Sequence, residues 1–231
     1  MATAVILAAG RGERMGGDKV FLEINRKHVM EYSLGAFERC PEIDEIIIVA
    51  RADSVDRCRE IGAGFSKFSK AVVGGDSRAE SSMNALGALA PDCEIVAIHD
   101  AARPLVTPEL VSRTVASARA NGSGVAVGAV VDTIKEVDGE GGVVRTIDRA
   151  SLRAAQTPQA FRVGLLRDAY AKALSAGARL TDDASALEFC GIPVATVESQ
   201  SPNPKLTYKS DVAYVATLLA EKEVLQCQAL A

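Results

Sequence analysis

Residues 5–15 read Val-Ile-Leu-Ala-Ala-Gly-Arg-Gly-Glu-Arg-Met. A short apolar run stops at a Gly10-x-Gly12 turn, and Arg14 and Lys19 follow. Glycines let the backbone turn tightly and approach a ligand closely. Successive backbone N–H groups in such a turn can cradle phosphate oxygens. Arg14 and Lys19 bring two positive charges to the same place, which points to chemistry on a nucleoside triphosphate. Two better-known loops are excluded. The dinucleotide fingerprint needs a third glycine where Met15 stands, and an acidic residue where Ala50-Arg51 end the second apolar run. The phosphate loop of NTPases needs Gly-Lys-Ser/Thr, but the chain has Gly17-Asp18-Lys19-Val20. Gly-x-Gly alone is equally compatible with an ordinary strand-to-helix turn.

Three further clusters carry reactive or binding side chains. Gly74-Gly75-Asp76-Ser77-Arg78-Ala79-Glu80-Ser81 sits where a strand enters a helix. Its backbone N–H groups, Arg78 and Ser81 could recognise ribose, base or phosphate, while Asp76 or Ser77 could simply cap the helix. His99-Asp100-Ala101-Ala102-Arg103-Pro104 follows an apolar strand. There Asp100 could meet a ligand hydroxyl or a hydrated Mg²⁺, and Arg103 a phosphate. An Asp–Arg pair that stiffens the loop is the plainer reading. The last cluster is spread out: Asp132-Thr133, Asp148-Arg149, Gln156 to Gln159, Thr181-Asp182-Asp183 and Asn203-Pro204-Lys205. Taken singly, Thr181 could cap a helix, and Arg149 and Lys205 could be solvated surface charges. His99 reads as a hydrogen-bonded structural residue and His28 as a surface helix residue. Two distant histidines give little support to a His-based triad or a zinc site.

The wider sequence narrows the class. The 231 residues suffice for one large α/β domain or two small ones. A net charge of −4 argues against nucleic-acid binding through an overall basic field. With no Trp and 4% aromatics, a stacking platform for single strands is not expected. The five cysteines, an odd number, show no metal-ligand spacing and read as buried or inert thiols of a reducing compartment. No signal peptide is read at the N-terminus, and no apolar run approaches the roughly 20 residues of a membrane span. A cytoplasmic location with no membrane partner is the expectation.

Strand-like and helix-like stretches alternate. Strands are expected at 3–8, 45–50, 71–73, 94–99, 124–131 and 192–198. Helices are expected at 29–39, from Ser54, and at 80–90, 108–121, 163–176, 182–189 and 210–226. The rhythm implies a mostly parallel, Rossmann-like sheet with helices on both faces. The clusters above fall at the carboxyl ends of its strands, where open α/β sheets bind ligands. The rhythm breaks at 133–137 and 143–147, two alternating runs around a Gly-rich turn. They read as a protruding β-hairpin, whose β-branched residues could pack on a partner chain or fold back on their own. With no linker or repeat, one domain spanning 1–231 is preferred, with 132–152 as a dimerisation arm.

In this order the clusters resemble those of the 2-C-methyl-D-erythritol 4-phosphate cytidylyltransferase family. The matching segments are 7–15, 74–78, 99–104, 132–135, 156–159, 181–185 and 205–207, which extend over nearly the whole chain. The resemblance implies a nucleotidyltransferase fold of the glycosyltransferase-A-like type. It implies a reaction joining CTP to the sugar-alcohol phosphate with release of pyrophosphate. By resemblance, Arg14 and Lys19 stabilise charge on the α-phosphate, and Arg149 and Lys205 hold the attacking phosphate. Ala8, Ala9, Gly10, Gly12, Gly75, Asp76, Arg78 and Ser81 surround the nucleotide. Asp100, Arg103, Thr133 and Thr181 line the acceptor side. Mg²⁺ is implied, held mainly by CTP phosphates with Asp100 reaching it through water. A homodimer is implied too, in which the arm of one subunit reaches the other's site. A positioned phosphate nucleophile needs no protein base, which suits a site rich in Arg and Lys.

The family usually writes Pro-Lys-Gln a few residues after Arg-Met. Gly16-Gly17-Asp18-Lys19-Val20 is shorter and places Asp18 before the lysine. A more mobile loop and a lowered local positive potential are the expected consequences. A ribitol-5-phosphate cytidylyltransferase and a nucleotide-binding regulator with weak turnover are the alternative readings.

Overall fold

Strand β1 (Ala2–Leu7) is apolar along nearly its whole length because both of its faces are covered. Ala2, Ala4 and Ile6 join one core cluster, and Val5 joins the other. This period of two is what a central strand between two helical layers requires. The computed structural model describes residues 1–229. The side chains of Glu223 and of residues 225–229, Cys227 among them, lie outside that description.

After β1 come a two-residue hairpin, β2 (Glu23–Ile24) and β3 (Lys27–His28), and helix α1 (Val29–Glu38). Next are β4 (Glu45–Ala50), α2 (Val55–Gly62), β5 (Phe68–Val73), α3 (Arg78–Gly87), β6 (Ile95–Asp100), α4 (Pro108–Asn121) and β7 (Ser123–Ala129). The hairpin β8 (Ile134–Val137) and β9 (Val143–Ile147) forms a sheet of its own. The chain ends with β10 (Arg153–Arg162), α5 (Val163–Ser175), α6 (Ala184–Phe189), β11 (Thr196–Glu198) and α7 (Asp211–Ala229).

The main sheet runs β11-β7-β10-β6-β1-β4-β5. All its strands are parallel except β10, which lies antiparallel between β7 and β6. Helices α1, α2 and α4 cover one face through Met30, Leu34, Phe37, Cys58, Val111 and Val115. Helices α3, α5 and α6 cover the other through Leu86, Leu166, Tyr170 and Leu187. Helix α7 seals the edge of the loops, where Val215 and Leu219 meet Met15, Val29, Leu105 and Leu206.

The mostly parallel α/β sheet and the hairpin at 134–147 match expectation, and other segments differ. Residues 156–159, read as part of a loop cluster, lie inside β10 at a shift in register between Ala155 and Gln159, and the Thr157–Pro158 peptide is cis. Polar Gln156, Thr157 and Gln159 hide the strand from a hydrophobicity pattern. The 192–198 run is strand only over its last three residues. His28 is not a surface helix residue. It is half-buried at the N-cap of α1, where its backbone N–H donates to Glu31 at 2.6 Å and its Nδ1 meets the Phe21 carbonyl at 2.9 Å.

Candidate active site

At the carboxyl ends of β1, β4, β5 and β6 opens a cleft of about 1120 Å³. Its floor is the turn after β1. Gly12 has φ +66°, and a Cβ there would stand 2.1 Å from the Gly17 carbonyl oxygen, so the loop closes on itself in a way only glycine allows. A wall comes from Gly74 to Arg78. Ser77 caps α3 by accepting from the Glu80 N–H at 3.1 Å, and its own N–H donates to the Glu80 carboxylate at 2.9 Å. The capping reading of Ser77 therefore holds, and it fixes the turn that presents Gly75 and Asp76. A Cβ on Gly75 would collide with Glu80 at 2.2 Å, so this position too requires glycine. The Gly75 N–H donates to the Ser81 hydroxyl at 3.2 Å.

The third wall is the C-terminal segment. Leu206 is fully buried against Met15, Val29 and α7, worth about 2 kcal/mol for such a side chain. That burial holds its neighbours Lys205 and Thr207 against the cleft. Lys19 reaches across and donates to the Leu206 carbonyl at 2.9 Å. Burial, and then the neighbouring Lys205, pull the Lys19 ammonium below its usual pKa, against the opposing pull of Asp100.

Asp100 is the electrostatic hub. It accepts from Lys205 Nζ at 2.6 Å and pairs with Arg78 Nε at 3.5 Å and Arg103 Nε at 3.9 Å. Burial alone would raise its carboxyl, but Arg78, Lys205 and Arg103 outweigh burial and hold it well below the usual carboxylate range. Arg78 also pairs with the fully buried Asp183 at 2.7 Å. Asp183 in turn accepts from Ser82 at 2.7 Å and Tyr170 at 2.6 Å. Gln159 accepts from the Asp183 and Ala184 N–H groups, both at 3.1 Å, and fixes the start of α6.

His99 locks the hub from behind. The Asp100 N–H donates to the Thr157 hydroxyl at 3.0 Å, and that hydroxyl donates to His99 Nδ1 at 3.0 Å. The remaining ring N–H, on Nε2, then donates to the Arg103 carbonyl at 3.2 Å. Burial drives the His99 pKa down to about 3 despite nearby Asp100, so the ring is neutral and structural, as the sequence implies. The Arg103 guanidinium donates to the Asn203 carbonyl at 2.8 Å and braces the C-terminal segment.

Of the sequence-derived candidates, Ala9, Gly10, Gly12, Arg14, Lys19, Gly75, Asp76, Arg78, Ser81, Asp100 and Lys205 line this one cleft. Ala8 is buried just behind it, and Arg103 braces its rim without lining it. Thr133 and Arg149 do not enter the cleft. Both are exposed on the arm, where Arg149 donates to the Val131 carbonyl. Thr181 is also exposed, and its N–H donates to the Ser185 hydroxyl at 3.2 Å. Sequence reasoning missed Arg51 and Thr207, which line the cleft, and the supporting Thr157 and Asp183 contacts. Arg51 had one signal: it ends the β4 apolar run at a strand's carboxyl end, where ligands bind. Asp18 does not face the cleft as a free negative charge. Its carboxylate is forked onto Arg51 at 2.6 and 3.1 Å.

The four cysteines whose side chains are described are free. Burial raises the thiols of Cys40 and Cys58 to about 11, which suits inert core residues. Among the described residues no group of His, Cys, Asp or Glu is arranged to hold a metal ion. Among them, too, no helix is long and apolar enough to cross a membrane.

The profile of the 2-C-methyl-D-erythritol 4-phosphate cytidylyltransferase family matches residues 2–221. The chain belongs to that family. It is a nucleotidyltransferase by that membership. It is 40% identical to the cytidylyltransferase of Clostridium perfringens, over 90% of this chain and 94% of that one. It is 44% identical to the bifunctional enzyme IspD/IspF of Rhodopseudomonas palustris (strain HaA2), over 90% of this chain. Here the chain spans about half the length of its relative, 53%. Among solved structures, the 4-diphosphocytidyl-2C-methyl-D-erythritol synthase of Anaerococcus prevotii superposes with a TM-score of 0.86 at 32% identity, covering 95% of this chain and 96% of that one. The cytidylyltransferase of Thermus thermophilus gives 0.78 at 30%, covering 94% and 98%.

Proposed function

We propose that this protein transfers the cytidylyl group of CTP to 2-C-methyl-D-erythritol 4-phosphate. The products are 4-diphosphocytidyl-2-C-methyl-D-erythritol and pyrophosphate. The observation that carries this reading is the convergence of Arg14, Lys19, Arg78 and Lys205 in one cleft of a cytidylyltransferase-family chain. Among the described residues, neither His nor Cys lines that cleft. Such a site stabilises phosphate charge and leaves nucleophilicity to the substrate. The acceptor phosphate oxygen attacks the α-phosphorus, and the bond to the pyrophosphate oxygen breaks. Arg14 and Lys19 meet the charge that builds on the α-phosphate. Lys205, steadied by Asp100, orients the incoming phosphate. Backbone groups at Ala9, Gly10 and Gly75 suit the edge of a pyrimidine.

A magnesium ion in this reading would be carried on the triphosphate oxygens. Asp100 is the one residue we assign near it, through water. Bound there, magnesium would supply neutralisation of the triphosphate charge and so assist departure of pyrophosphate.

The second half of the acceptor site comes from a partner subunit in this reading. Val131 and Val143, 77% and 63% exposed, give the arm an apolar surface suited to a second copy. Thr133 and Arg149 of the partner's arm then complete the acceptor side.

The test is pyrophosphate release with CTP, UTP, ATP and GTP against methylerythritol phosphate and ribitol 5-phosphate. CTP with methylerythritol phosphate should give the highest kcat/KM. A preference for ribitol 5-phosphate, or equal use of CTP and UTP, overturns the assignment. Tight CTP binding without pyrophosphate release points to a regulator.

A further inference from the structure

Apart from Lys19 itself, whose ammonium donates to the Leu206 carbonyl at 2.9 Å, the glycine loop has one side-chain anchor among the described residues. Met15 is buried at its start, and Val20 and Phe21 are buried at its end. Between them Gly16 and Gly17 have no side chains to pack. The space beside Gly17 is open, and only the tip of Lys209 comes near Gly16. Among the described residues, Asp18 ties this stretch to the body. Its two carboxylate oxygens take the two terminal nitrogens of Arg51 at 2.6 and 3.1 Å. Arg51 follows the fully buried end of β4, and its Nε donates to Asp53 at 2.9 Å. The forked pair is charge-assisted and geometrically specific. Its side chains are only 22% and 28% exposed. Further along, Arg57 lies 4.2 Å over the Phe21 ring. Lys19 therefore sits between two points fixed to the sheet.

We propose that Asp18 and Arg51 are positioning residues for Lys19. In this chain, whose glycine loop has little packing of its own, their pair holds the lysine toward the α-phosphate. The proposal rests on the cytidylyltransferase reading. It also accounts for an acidic residue beside a catalytic lysine. Arg51 takes up the Asp18 charge, and the groups that act on Lys19 are instead Lys205, Asp100, Arg14 and Arg103.

The experiment combines two measurements on the full chain. The first is amide hydrogen exchange of residues 16–19 with no substrate present. Asp18→Ala and Arg51→Ala should each speed exchange there, and unchanged exchange overturns the tether. This readout does not depend on which reaction the protein catalyses, so it separates the tether from the proposed function. The second is steady-state kinetics in a cycle with Lys19→Ala. Each single variant should lower kcat about 10-fold, since displacing a reacting group by about 1 Å costs up to 10²-fold. KM for CTP should change less, and Asp18→Ala with Arg51→Ala should be no worse than either alone. In the Lys19→Ala background, Asp18→Ala should have no further effect on kcat. Asp18→Glu should recover part of the loss. If the Asp18→Ala loss persists without Lys19, the pair is structural only and the proposal fails. If Arg51→Ala raises KM for CTP while Asp18→Ala does not, Arg51 binds the triphosphate itself and the proposal fails.

Discussion

The cleft and the arm are built on opposite terms. Behind the cleft, His99, Thr157, Gln159 and Asp183 are all but inaccessible to solvent, and each meets a partner on another element. The arm is held by its own contacts: Lys135 to Thr146 at 2.6 Å, Arg145 to Glu136, and Asp138 closing the turn. An isolated two-stranded hairpin is marginal in water. The buried network fixes a charge arrangement before substrate arrives, while the arm carries exposed valines and an Arg149 outside the cleft. A preorganised cleft half and an unfinished arm half are what a shared dimeric site would need from a single chain.

The sharpest way to break this contrast is to remove a charge from the preorganised half. Lys19→Ala should lower kcat by about 10²-fold or more, the size expected for a transition-state charge contact. The fold should survive, because Lys19 is half-buried and its direct hydrogen bond is to the Leu206 carbonyl. Turnover in the pyrophosphate assay and a thermal midpoint within a few degrees of the unaltered protein would bear this out. Near-normal kcat would remove Lys19 from the site.

The unfinished half is tested by subunit mixing. Lys19→Ala and Arg149→Ala protomers, each inactive alone, are combined under conditions that exchange subunits. Random pairing makes about half the dimers mixed. In each mixed dimer one site draws an intact Lys19 from one chain and an intact Arg149 from the other. About a quarter of the unaltered activity should return. If Arg149 serves its own chain's cleft, both sites of every mixed dimer stay damaged and no activity returns.

The two halves also differ in how readable they are from the sequence. The cleft residues announce themselves because Gly10, Gly75, Asp100 and Lys205 sit beside apolar strands or in polar punctuation, and α/β sheets use those positions for ligands. The hairpin is legible from its alternating runs and the glycines of its turn. What stays hidden is support that only long-range packing creates. Strand β10 is concealed because its middle is polar, and Gln156, Thr157 and Gln159 are satisfied by Asn203, His99 and Asp182 from distant segments. Asp183 reads as one more charge beside a helix, yet it is the buried anchor of Arg78. Asp18 reads as a charge lowering the loop's potential. Its partner Arg51 is 33 residues away, a pairing no local pattern contains.

The smallest effect tests whether the buried network also sets the acid limit of the fold. His99 stays neutral to about pH 3 in the folded state, against an ordinary 6.5. Its neighbours are the Arg103 carbonyl, the Thr157 hydroxyl, Asp100 and the Phe37 ring at 5.1 Å. Between those two pH values the unfolded chain binds a proton at this position that the folded chain does not. Stability is therefore fully present above about 6.5 and falls as pH drops toward 3, with a slope approaching one proton. Asp100 acts in the same direction at still lower pH, since its depressed pKa favours the fold only while it is ionised. Denaturant midpoints measured from pH 7 to 4 should fall, and His99→Gln should flatten the slope while lowering stability at pH 7. A Val143→Glu change in the arm should leave the slope as it is, because His99 belongs to β6 and not to the hairpin. An unchanged slope in His99→Gln would mean that other groups carry the acid sensitivity, and that the histidine behind Asp100 is not the buried neutral ring described above.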